Sequence, residues 1–418
     1  MRGFIGKTLT VALSTFLLSG NMAYTVETDV QESVIETENI QEESMKETLT
    51  DEIVNSDVEL DIKSPSALLM ESTTGEIIYA KGANERRSPA SVTKIMTLLL
   101  IFDALKTGQI SLTDEAVTTA HAKSMGGSQV FLEEGEKQTV ETLIKCIVIA
   151  SGNDAAVTMA EFISGSEEEF VKAMNERAAS LEMTNTNFED ACGLTDSKNH
   201  YTTAYDIALM SRELIVEYPE IEQYAIIWME DITHTTRQGS STFTLSNTNK
   251  LLKSYDGITG LKTGYTSQAM FCISATARRN GIHLISVIMA SSDSKTRNKD
   301  AATLLTYGFG KCSVYTDENT EILPDAFILN GVETQVPCEY EKEFHYLEMN
   351  GIPLTDITKE IVMNEEAVAP IAEGDIAGKA VYYLAGNEIG SVNILYKRSV
   401  EKAGFIDYLM KTVKRLCI

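Results

Sequence analysis

The sequence has few histidines, and none of them are spaced like metal ligands. Its 418 residues include five histidines, which are scattered along the chain. Zinc peptidases place histidine ligands a few residues apart on one helix, and no such pair is present. We therefore expect neither a metal ion nor any other cofactor, and a zinc peptidase is disfavoured.

Basic residues are also scarce. The 35 Lys and Arg residues stand against 61 Asp and Glu residues, which gives a net charge of −26. Such a charge repels phosphate groups, so nucleic acid and anionic lipid are excluded as partners of the whole surface. Hydrophobic content is ordinary at 43%, and the length suffices for two domains or more.

The chain has no long apolar run at its start. The stretch 9–18 is apolar but too short to span a bilayer comfortably. Arg2 and Lys7 precede it and small residues near Ala23 follow, which is typical of a secretory signal over residues 1–23. A retained anchor is the alternative.

Residues 24–63 have almost no aromatic side chains and are crowded with Asp and Glu. This composition predicts a disordered acidic spacer, with a solvated helix as the alternative.

Cysteine is present but follows no pairing pattern. The six cysteines are widely spaced, and Cys146 and Cys272 lie in apolar runs typical of core positions. Because a large core does not need cross-links, we expect no disulfide framework.

The folded part begins near Ser64, and strand patterns occur at both of its ends. Alternating apolar residues and turns predict strands at 67–70, 76–80, 260–266, 271–277 and 283–290, with Asn280-Gly281 as a hairpin turn. Helical periodicity lies between them, at 91–105, 139–150, 154–163, 167–181 and 203–216, and again at 299–307. The pattern predicts an α+β fold, in which helices flank one antiparallel sheet and a helical insert divides it.

The sequence pattern changes after Cys312. Short alternating strands at 339–348, 379–384 and 388–396 predict a small all-β domain over residues 313–397. The tail, 398–418, is basic and has an apolar helical face formed by Phe405, Ile406, Leu409, Met410, Val413 and Leu416. This pattern favours a helix lying in a membrane surface, although an amphipathic helix packed on the β domain has the same pattern.

Ser91 and Lys94 lie three residues apart at the start of a strongly apolar helical stretch. On a helix they would share a face, near the positive end of the helix dipole. A serine hydroxyl needs a neighbouring base, and a desolvated lysine can supply one. A second Ser-x-x-Lys at 292–295 lies in a polar run with no apolar helix behind it.

Two further motifs follow in order, Ser151-Gly152-Asn153 after an apolar helix and Lys262-Thr263-Gly264 on a late strand. Other copies occur at 197–199, in a polar loop, and at 106–108, at a helix end where glycine is an ordinary cap. Three motifs in order and in suitable settings are the signature of class A β-lactamases and penicillin-binding proteins.

The stretches around these motifs resemble the serine D-alanyl-D-alanine carboxypeptidases, the low-molecular-weight penicillin-binding proteins. The resemblance is carried by SPASVTKIMT, IVIASGNDAAV, NFEDACGL, HYTTAYDIALMSREL and DGITGLKTGYT, and it covers a catalytic domain over about residues 64–312. It implies a β-lactamase/transpeptidase-like fold and removal of the terminal D-alanine from peptidoglycan pentapeptides. It also implies β-lactam antibiotics as covalent inhibitors, and a location at the outer face of the cytoplasmic membrane or in the cell wall.

The resemblance also implies catalytic roles. Ser91 would be the nucleophile, Lys94 would take its proton, and Ser151 would relay that proton to the leaving group. Asn153 would hold Lys94 and the substrate amide.

Substrate binding is implied for the third motif. Lys262 and Thr263 would meet the substrate carboxylate, and Gly264 would let the strand approach the substrate closely. The backbone N–H of Tyr265 and that of the nucleophile would form the oxyanion hole. Arg297 stands where the family has a carboxylate-binding arginine, with a surface arginine as the alternative.

Three other functions fit parts of the pattern. A class A β-lactamase would need a dedicated glutamate, and no Glu-x-x-Leu-Asn stretch lies between Asn153 and Lys262. An endopeptidase acting on cross-linked peptides would use the same residues. The complete set of motif residues argues against a non-catalytic penicillin sensor. One departure from the family is Met270, where a glycine is frequent.

Overall fold

The computed structural model describes residues 60–416 except Gln238 and Glu365. The expected signal peptide and nearly all of the expected acidic spacer lie outside the described residues.

A five-stranded antiparallel sheet forms the centre of the first part of the chain, with the strand order β2-β1-β9-β8-β7. The strands up to the end of this part are β1 (Ser66–Glu71), β2 (Ile77–Lys81), β3 (Glu115–Val117), β4 (Lys137–Thr139), β5 (Met229–Thr236), β6 (Gly239–Ser246), β7 (Ile258–Thr266), β8 (Met270–Arg279) and β9 (Ile282–Ser291). Because β1 pairs with β9, the two ends of this part close one sheet around the insert, as predicted.

The helices lie between β2 and β7 and after β9. They are α1 (Lys94–Lys106), α2 (Ala120–Lys123), α3 (Val140–Val148), α4 (Asn153–Ser164), α5 (Glu167–Ser180), α6 (Ala204–Glu217), α7 (Ile221–Ala225) and α8 (Ser294–Lys311). Side-chain caps fix several of their starts. Ser166 and Thr203 accept backbone N–H groups at 3.2 and 3.0 Å at the starts of α5 and α6. The predicted helical periods are confirmed there.

Helix α8 is longer than predicted, since the Asp293 carboxylate accepts the N–H groups of Lys295 and Thr296 at 2.9 and 2.8 Å. This cap starts the helix five residues earlier than the apolar period suggests. The hairpin between β8 and β9 turns at Asn280 and Gly281, whose φ angles are 50° and 80°. Two positive φ angles are what a two-residue hairpin requires, so that prediction is confirmed.

Two antiparallel strand pairs were not predicted. Strand β3 pairs with β4, and β5 pairs with β6 over eight residue pairs. Most side chains of β5 and β6 are polar and exposed, so their sequence carries little of the apolar alternation that marks a half-buried strand.

The core has two layers, one on each face of the central sheet. On one face, α1 is buried nearly all round and packs with α3, α4 and α6 against β1 and β9. On the other face, α8 covers β8 and β9 through Ala301, Leu304 and Leu305. The position of α1 at the centre of the larger layer fixes the residues at its start.

The C-terminal part is all-β, as predicted. Its strands are β10 (Ser313–Asp317), β11 (Ala326–Phe327), β12 (Gln335–Val336), β13 (Cys338–Tyr340), β14 (Phe344–Glu348), β15 (Thr358–Met363), β16 (Ile376–Leu384) and β17 (Asn387–Tyr396). Four of them form a sheet in the order β13-β17-β16-β15. The single strand predicted over 339–348 is wrong, because β13 pairs with β17 whereas β14 pairs with β10.

A last helix, α9 (Phe405–Leu416), follows this module. Phe405 and Ile406 are 83% and 73% exposed, and Leu409, Met410 and Val413 are about half exposed. Val400, just before the helix, is buried in the module and pairs with Ile371. Within the described residues, no helix has the length and apolarity needed to cross a membrane.

Helix α8 offers a matched test of its packing on the sheet. A Cβ at Gly308 would lie 2.6 Å from Leu284 Cδ1 and 2.9 Å from Leu69 Cδ2, both in the core. A Cβ at Gly310 would have no atom within 4 Å. Gly308→Ala should therefore lower the free energy of unfolding by about 1–3 kcal/mol through overpacking. Gly310→Ala should raise it by up to about 1 kcal/mol through helix propensity.

Chemical denaturation of the two single variants checks this prediction. An equal effect of both substitutions would contradict the close packing of α8 on the sheet.

Candidate active site

The Ser91 hydroxyl lies on a short 3₁₀ turn, Ala90–Thr93, and Lys94 is the first residue of α1. The prediction that Ser91 lies in an α-helix is therefore wrong, because it lies in the 3₁₀ turn just before the helix. The prediction that the two side chains meet is confirmed, because Lys94 Nζ lies 3.1 Å from Ser91 Oγ. The turn begins at Ala90 with φ 49°, a strained value for a residue with a Cβ.

The Lys94 ammonium is buried and touches three oxygens. Besides Ser91 Oγ, these are Asn153 Oδ1 at 2.6 Å and the carbonyl oxygen of Cys192 at 2.8 Å. The amide of Asn153 is oriented by its Nδ2, which donates to the carbonyl of Gly126 at 2.7 Å. Two of the three oxygens can thus only accept. In neutral Lys94, its two N–H bonds point to these acceptors and its lone pair faces the hydroxyl of Ser91.

Burial lowers the pKa of Lys94 below its usual value of 10.5. The negative charges of Asp190 and Asp154 offset part of this effect. Desolvation disfavours the ammonium form, so the neutral amine is more accessible here than on a surface lysine.

Ser151 lies in the turn between α3 and α4, with φ 61°. Its Oγ accepts a hydrogen bond from Lys262 Nζ at 2.9 Å, and Lys262 also donates to the carbonyl of Thr263 at 3.0 Å. Burial lowers the pKa of Lys262 well below its usual range, and the charges of Lys94 and Arg297 lower it further. The second and third motifs therefore meet directly across the space beside Ser91.

Gly264 brings strand β7 against the turn that carries Ser91. A Cβ at this position would lie 2.9 Å from the carbonyl oxygen of Pro89 and 3.0 Å from the backbone nitrogen of Ser91. Sequence reasoning assigned Gly264 to the approach of substrate, and the structure gives it a contact with the protein itself. This contact sets the backbone of Gly264 and Tyr265 beside the amide of Ser91.

A loop that sequence reasoning left without a role completes the surroundings of Lys94. The Asp190 carboxylate accepts the N–H groups of Cys192, Leu194 and Thr195 at 2.7–3.0 Å, and that of Gly193 as well. Burial raises the pKa of this carboxyl, but the charge of His200 and these N–H groups outweigh it and lower the pKa overall. The loop thereby holds the Cys192 carbonyl on Lys94.

Gly193 explains why this loop can lie so close. Its φ is 75°, and a Cβ there would lie 1.8 Å from the carbonyl oxygen of Ala90. No side chain fits at this position. The stretch NFEDACGL carried the family resemblance, but the backbone carbonyl of Cys192 has no signature of its own in a sequence.

Two further predicted residues, Thr263 and Tyr265, follow Lys262 on strand β7. Thr263 Oγ1 donates to Thr248 Oγ1 at 2.7 Å, on the β6 side of the site. The side chain of Tyr265 is 57% exposed and its ring lies against Phe271, with centroids 4.3 Å apart. The predicted motif residues Ser91, Lys94, Ser151, Asn153, Lys262, Thr263 and Gly264 are thus brought together.

Arg297 contacts strand β8, next to the strand that carries the third motif. Its guanidinium is buried, which lowers its pKa to about 10. It donates to the carbonyl of Cys272 at 3.3 Å, on the residue that pairs with Gly264 across β7 and β8. Its charge is therefore one strand away from the third motif.

Two of the other copies of the motifs are ordinary structural positions. The hydroxyl of Ser292 contacts the Asp293 carboxylate at 3.1 Å at the start of α8. Gly108 follows the end of α1 with φ 72°, which is typical of a helix C-terminus. Met270 has φ 58°, a conformation that favours the glycine frequent in the family.

Comparison with known proteins identifies the family. The model of the D-alanyl-D-alanine carboxypeptidase family matches residues 51–293, and the C-terminal domain of penicillin-binding protein 5 matches residues 316–402. The D-alanyl-D-alanine carboxypeptidase DacF of Bacillus subtilis is 40% identical over 356 residues, which are 85% of this chain and 90% of the relative. The chain belongs to the D-alanyl-D-alanine carboxypeptidase family.

More distant members of the family agree. The D-alanyl-D-alanine carboxypeptidase DacC of Escherichia coli is 32% identical, covering 81% of this chain and 84% of the relative. The crystal structure of penicillin-binding protein 5 from Haemophilus influenzae superposes with a TM-score of 0.71 at 29% identity, covering 82% of this chain and 99% of that one. The chain is therefore a serine D-alanyl-D-alanine carboxypeptidase of the low-molecular-weight penicillin-binding proteins, and the alternative functions are not favoured.

Proposed function

We propose that this carboxypeptidase removes the terminal D-alanine of peptidoglycan pentapeptides through an acyl-enzyme on Ser91. The observation that carries the proposal is the contact of the buried Lys94 amine with Ser91 Oγ, while its other two oxygen partners can only accept. This arrangement supports Lys94 as the base for Ser91.

Acylation starts when Ser91 Oγ attacks the carbonyl carbon between the two D-alanines. Its proton passes to the neutral amine of Lys94, as the C–O bond forms. The carbonyl oxygen becomes an oxyanion, which we assign to the backbone N–H groups of Ser91 and Tyr265. The approach of Gly264 to the Ser91 nitrogen supports this assignment.

The leaving D-alanine needs a proton as its C–N bond breaks. We assign its delivery to Ser151, which relays the proton from Lys94 to the leaving nitrogen. The donation from Lys262 Nζ to Ser151 Oγ supports this role, because it leaves the Ser151 hydroxyl proton free to point into the site. Water then hydrolyses the ester, which regenerates Ser91 and releases the shortened peptide.

The free carboxylate of the substrate defines a carboxypeptidase. We assign its recognition to Lys262 and Thr263, on the strand next to the nucleophile. Arg297 adds positive charge at β8, since its guanidinium donates to the Cys272 carbonyl. Penicillins carry a carboxylate in the same relation to a reactive carbonyl, which supports their acylation of Ser91.

We also propose export and attachment to a membrane surface. The signal-like start of the chain supports export to the outer face of the cytoplasmic membrane. The exposed apolar side chains of α9 support its insertion into the membrane surface, with the β module between it and the catalytic domain.

The nucleophile is tested against a matched serine. Ser91→Ala should abolish both the release of D-alanine from a diacyl-Lys-D-Ala-D-Ala peptide and covalent labelling by fluorescent penicillin, because Ser91 carries the hydroxyl that contacts the Lys94 amine. Ser292→Ala, in the second Ser-x-x-Lys, should change neither. Label retained in Ser91→Ala would remove Ser91 as the nucleophile.

The base is tested by pH dependence. Because burial lowers the pKa of Lys94, its neutral form is lost as pH falls through that lowered pKa. The acylation rate should therefore rise with pH and level off below the pH 10.5 expected for an ordinary lysine. Lys94→Arg stays protonated and should slow acylation by about 10²–10⁴-fold.

Stopped-flow acylation by a chromogenic β-lactam measures both effects, with Lys295→Arg as the matched control. A flat pH profile, or near-normal acylation in Lys94→Arg, would mean that another group is the base.

The tail helix is tested by removing it after Gly404, which keeps the buried Val400. The shortened enzyme should remain active on soluble peptides but should no longer sediment with lipid vesicles. Ile406→Glu combined with Leu409→Glu should have the same effect, whereas Glu401→Gln should not. Equal sedimentation of all forms would identify α9 as a packing helix.

A further inference from the structure

A pocket separate from the cluster of motif residues lies beyond the end of strand β7. It has a volume of about 500 Å³, and its walls include Arg86, Arg87, Lys198 and the turn residue Ala269. Its lining also includes Ser88, three residues before the nucleophile. No Asp or Glu is among its lining residues, although the chain as a whole carries a net charge of −26.

The positive charges of this pocket are only partly neutralised. Arg86 donates to the neutral amide oxygen of Asn185 at 3.0 and 3.1 Å. Its charge also acts on the nearby carboxyl of Asp206, where it offsets part of the rise in pKa that burial causes. Lys198 is exposed and forms no ion pair with the described residues. Arg87 pairs with Glu85, which is 57% exposed, while its own Nε is buried and has no hydrogen-bond partner in the described part of the chain. Three cations thus line the pocket, and the carboxylates of Glu85 and Asp206 each act on one of them.

The direction of strand β7 relates this pocket to the substrate. Lys262 and Thr263, which we assign to the terminal carboxylate, come first along the strand, and Gly264 lies at Ser91. Thr266 ends the strand and the pocket residue Ala269 follows. A peptide extended along this edge rises about 3.4 Å per residue. Its acyl part, on the side of the scissile bond away from the carboxylate, therefore runs toward the pocket.

We propose that this basic pocket binds a carboxylate carried by the acyl part of the peptide substrate, two or three residues before the scissile bond. The inference rests on the proposed function, because the direction of the peptide follows from its carboxylate at Lys262 and Thr263. The Glu85 side of its ion pair with Arg87 is 57% exposed, and a pair so open to water is weak enough for a substrate carboxylate to replace Glu85. The pocket would thus select peptides that are acidic upstream of the D-alanines.

The test uses two peptides that end in Lys-D-Ala-D-Ala and differ in one group. The residue before the lysine carries a free carboxylate in one peptide and a carboxamide in the other. We expect kcat/KM of the full-length enzyme to be roughly tenfold higher for the acidic peptide. In Arg86→Gln combined with Lys198→Gln, this ratio should fall to near one, mainly through a higher KM for the acidic peptide.

Two further variants sharpen the test. Glu85→Gln removes the competing carboxylate and should raise the ratio, which is the opposite direction. Arg278→Gln removes an exposed arginine on β8, which pairs with Glu222 outside the pocket, and should leave the ratio unchanged.

A ratio of one in the unmodified enzyme would overturn the proposal, and so would an equal fall in the ratio for Arg278→Gln. The carboxamide peptide separates this inference from the proposed function. If the unmodified enzyme released D-alanine from neither the acidic nor the carboxamide peptide, the proposed function itself would be contradicted, together with the role of the pocket.

Discussion

The buried amine of Lys94 is the constraint on which the site depends. Taking an amine out of water costs free energy unless its hydrogen bonds are replaced. Here the replacements come from three separate segments, the turn that carries Ser91, the start of α4 at Asn153 and the loop at Cys192. Because no single element supplies them, the amine is correctly held only after the sheet, the helical insert and the loop have packed together. The reactive arrangement is therefore a property of the tertiary fold.

Backbone strain accompanies this arrangement. Ala90 and Ser151, one beside Ser91 and one in the second motif, both adopt positive φ angles that cost free energy for residues with a Cβ. The surrounding contacts hold them there, and two glycines make those contacts possible. Gly193 lets the Asp190 loop reach the carbonyl of Ala90, and Gly264 lets β7 reach the same turn from the other side. The turn is thus held between a loop and a strand, and these contacts maintain a backbone conformation that its residues would not favour by themselves.

Much of this could be predicted from the sequence, and the failures have physical reasons. Apolar periodicity located α1, α3 to α6 and the strands of the central sheet, because burial on one face or all round leaves a repeating pattern. The three motifs were found because their residue types, spacing and order together are specific to one class of serine enzymes. The polar hairpin β5–β6 was missed because its strands are exposed on most sides. The Cys192 carbonyl was missed because every residue has a carbonyl, and only the fold decides which one meets Lys94.

The two buried lysines link the proposed carboxylate site to the proposed base. The charge of Lys94 lowers the pKa of Lys262, and repulsion between two cations is mutual. In the proposed mechanism, a substrate carboxylate at Lys262 and Thr263 would favour the proton on Lys262. That charge would in turn disfavour a proton on Lys94, the proposed base for Ser91. A substrate with a free carboxylate would thus promote the neutral form of Lys94, whereas an amidated one lacks the charge to do so.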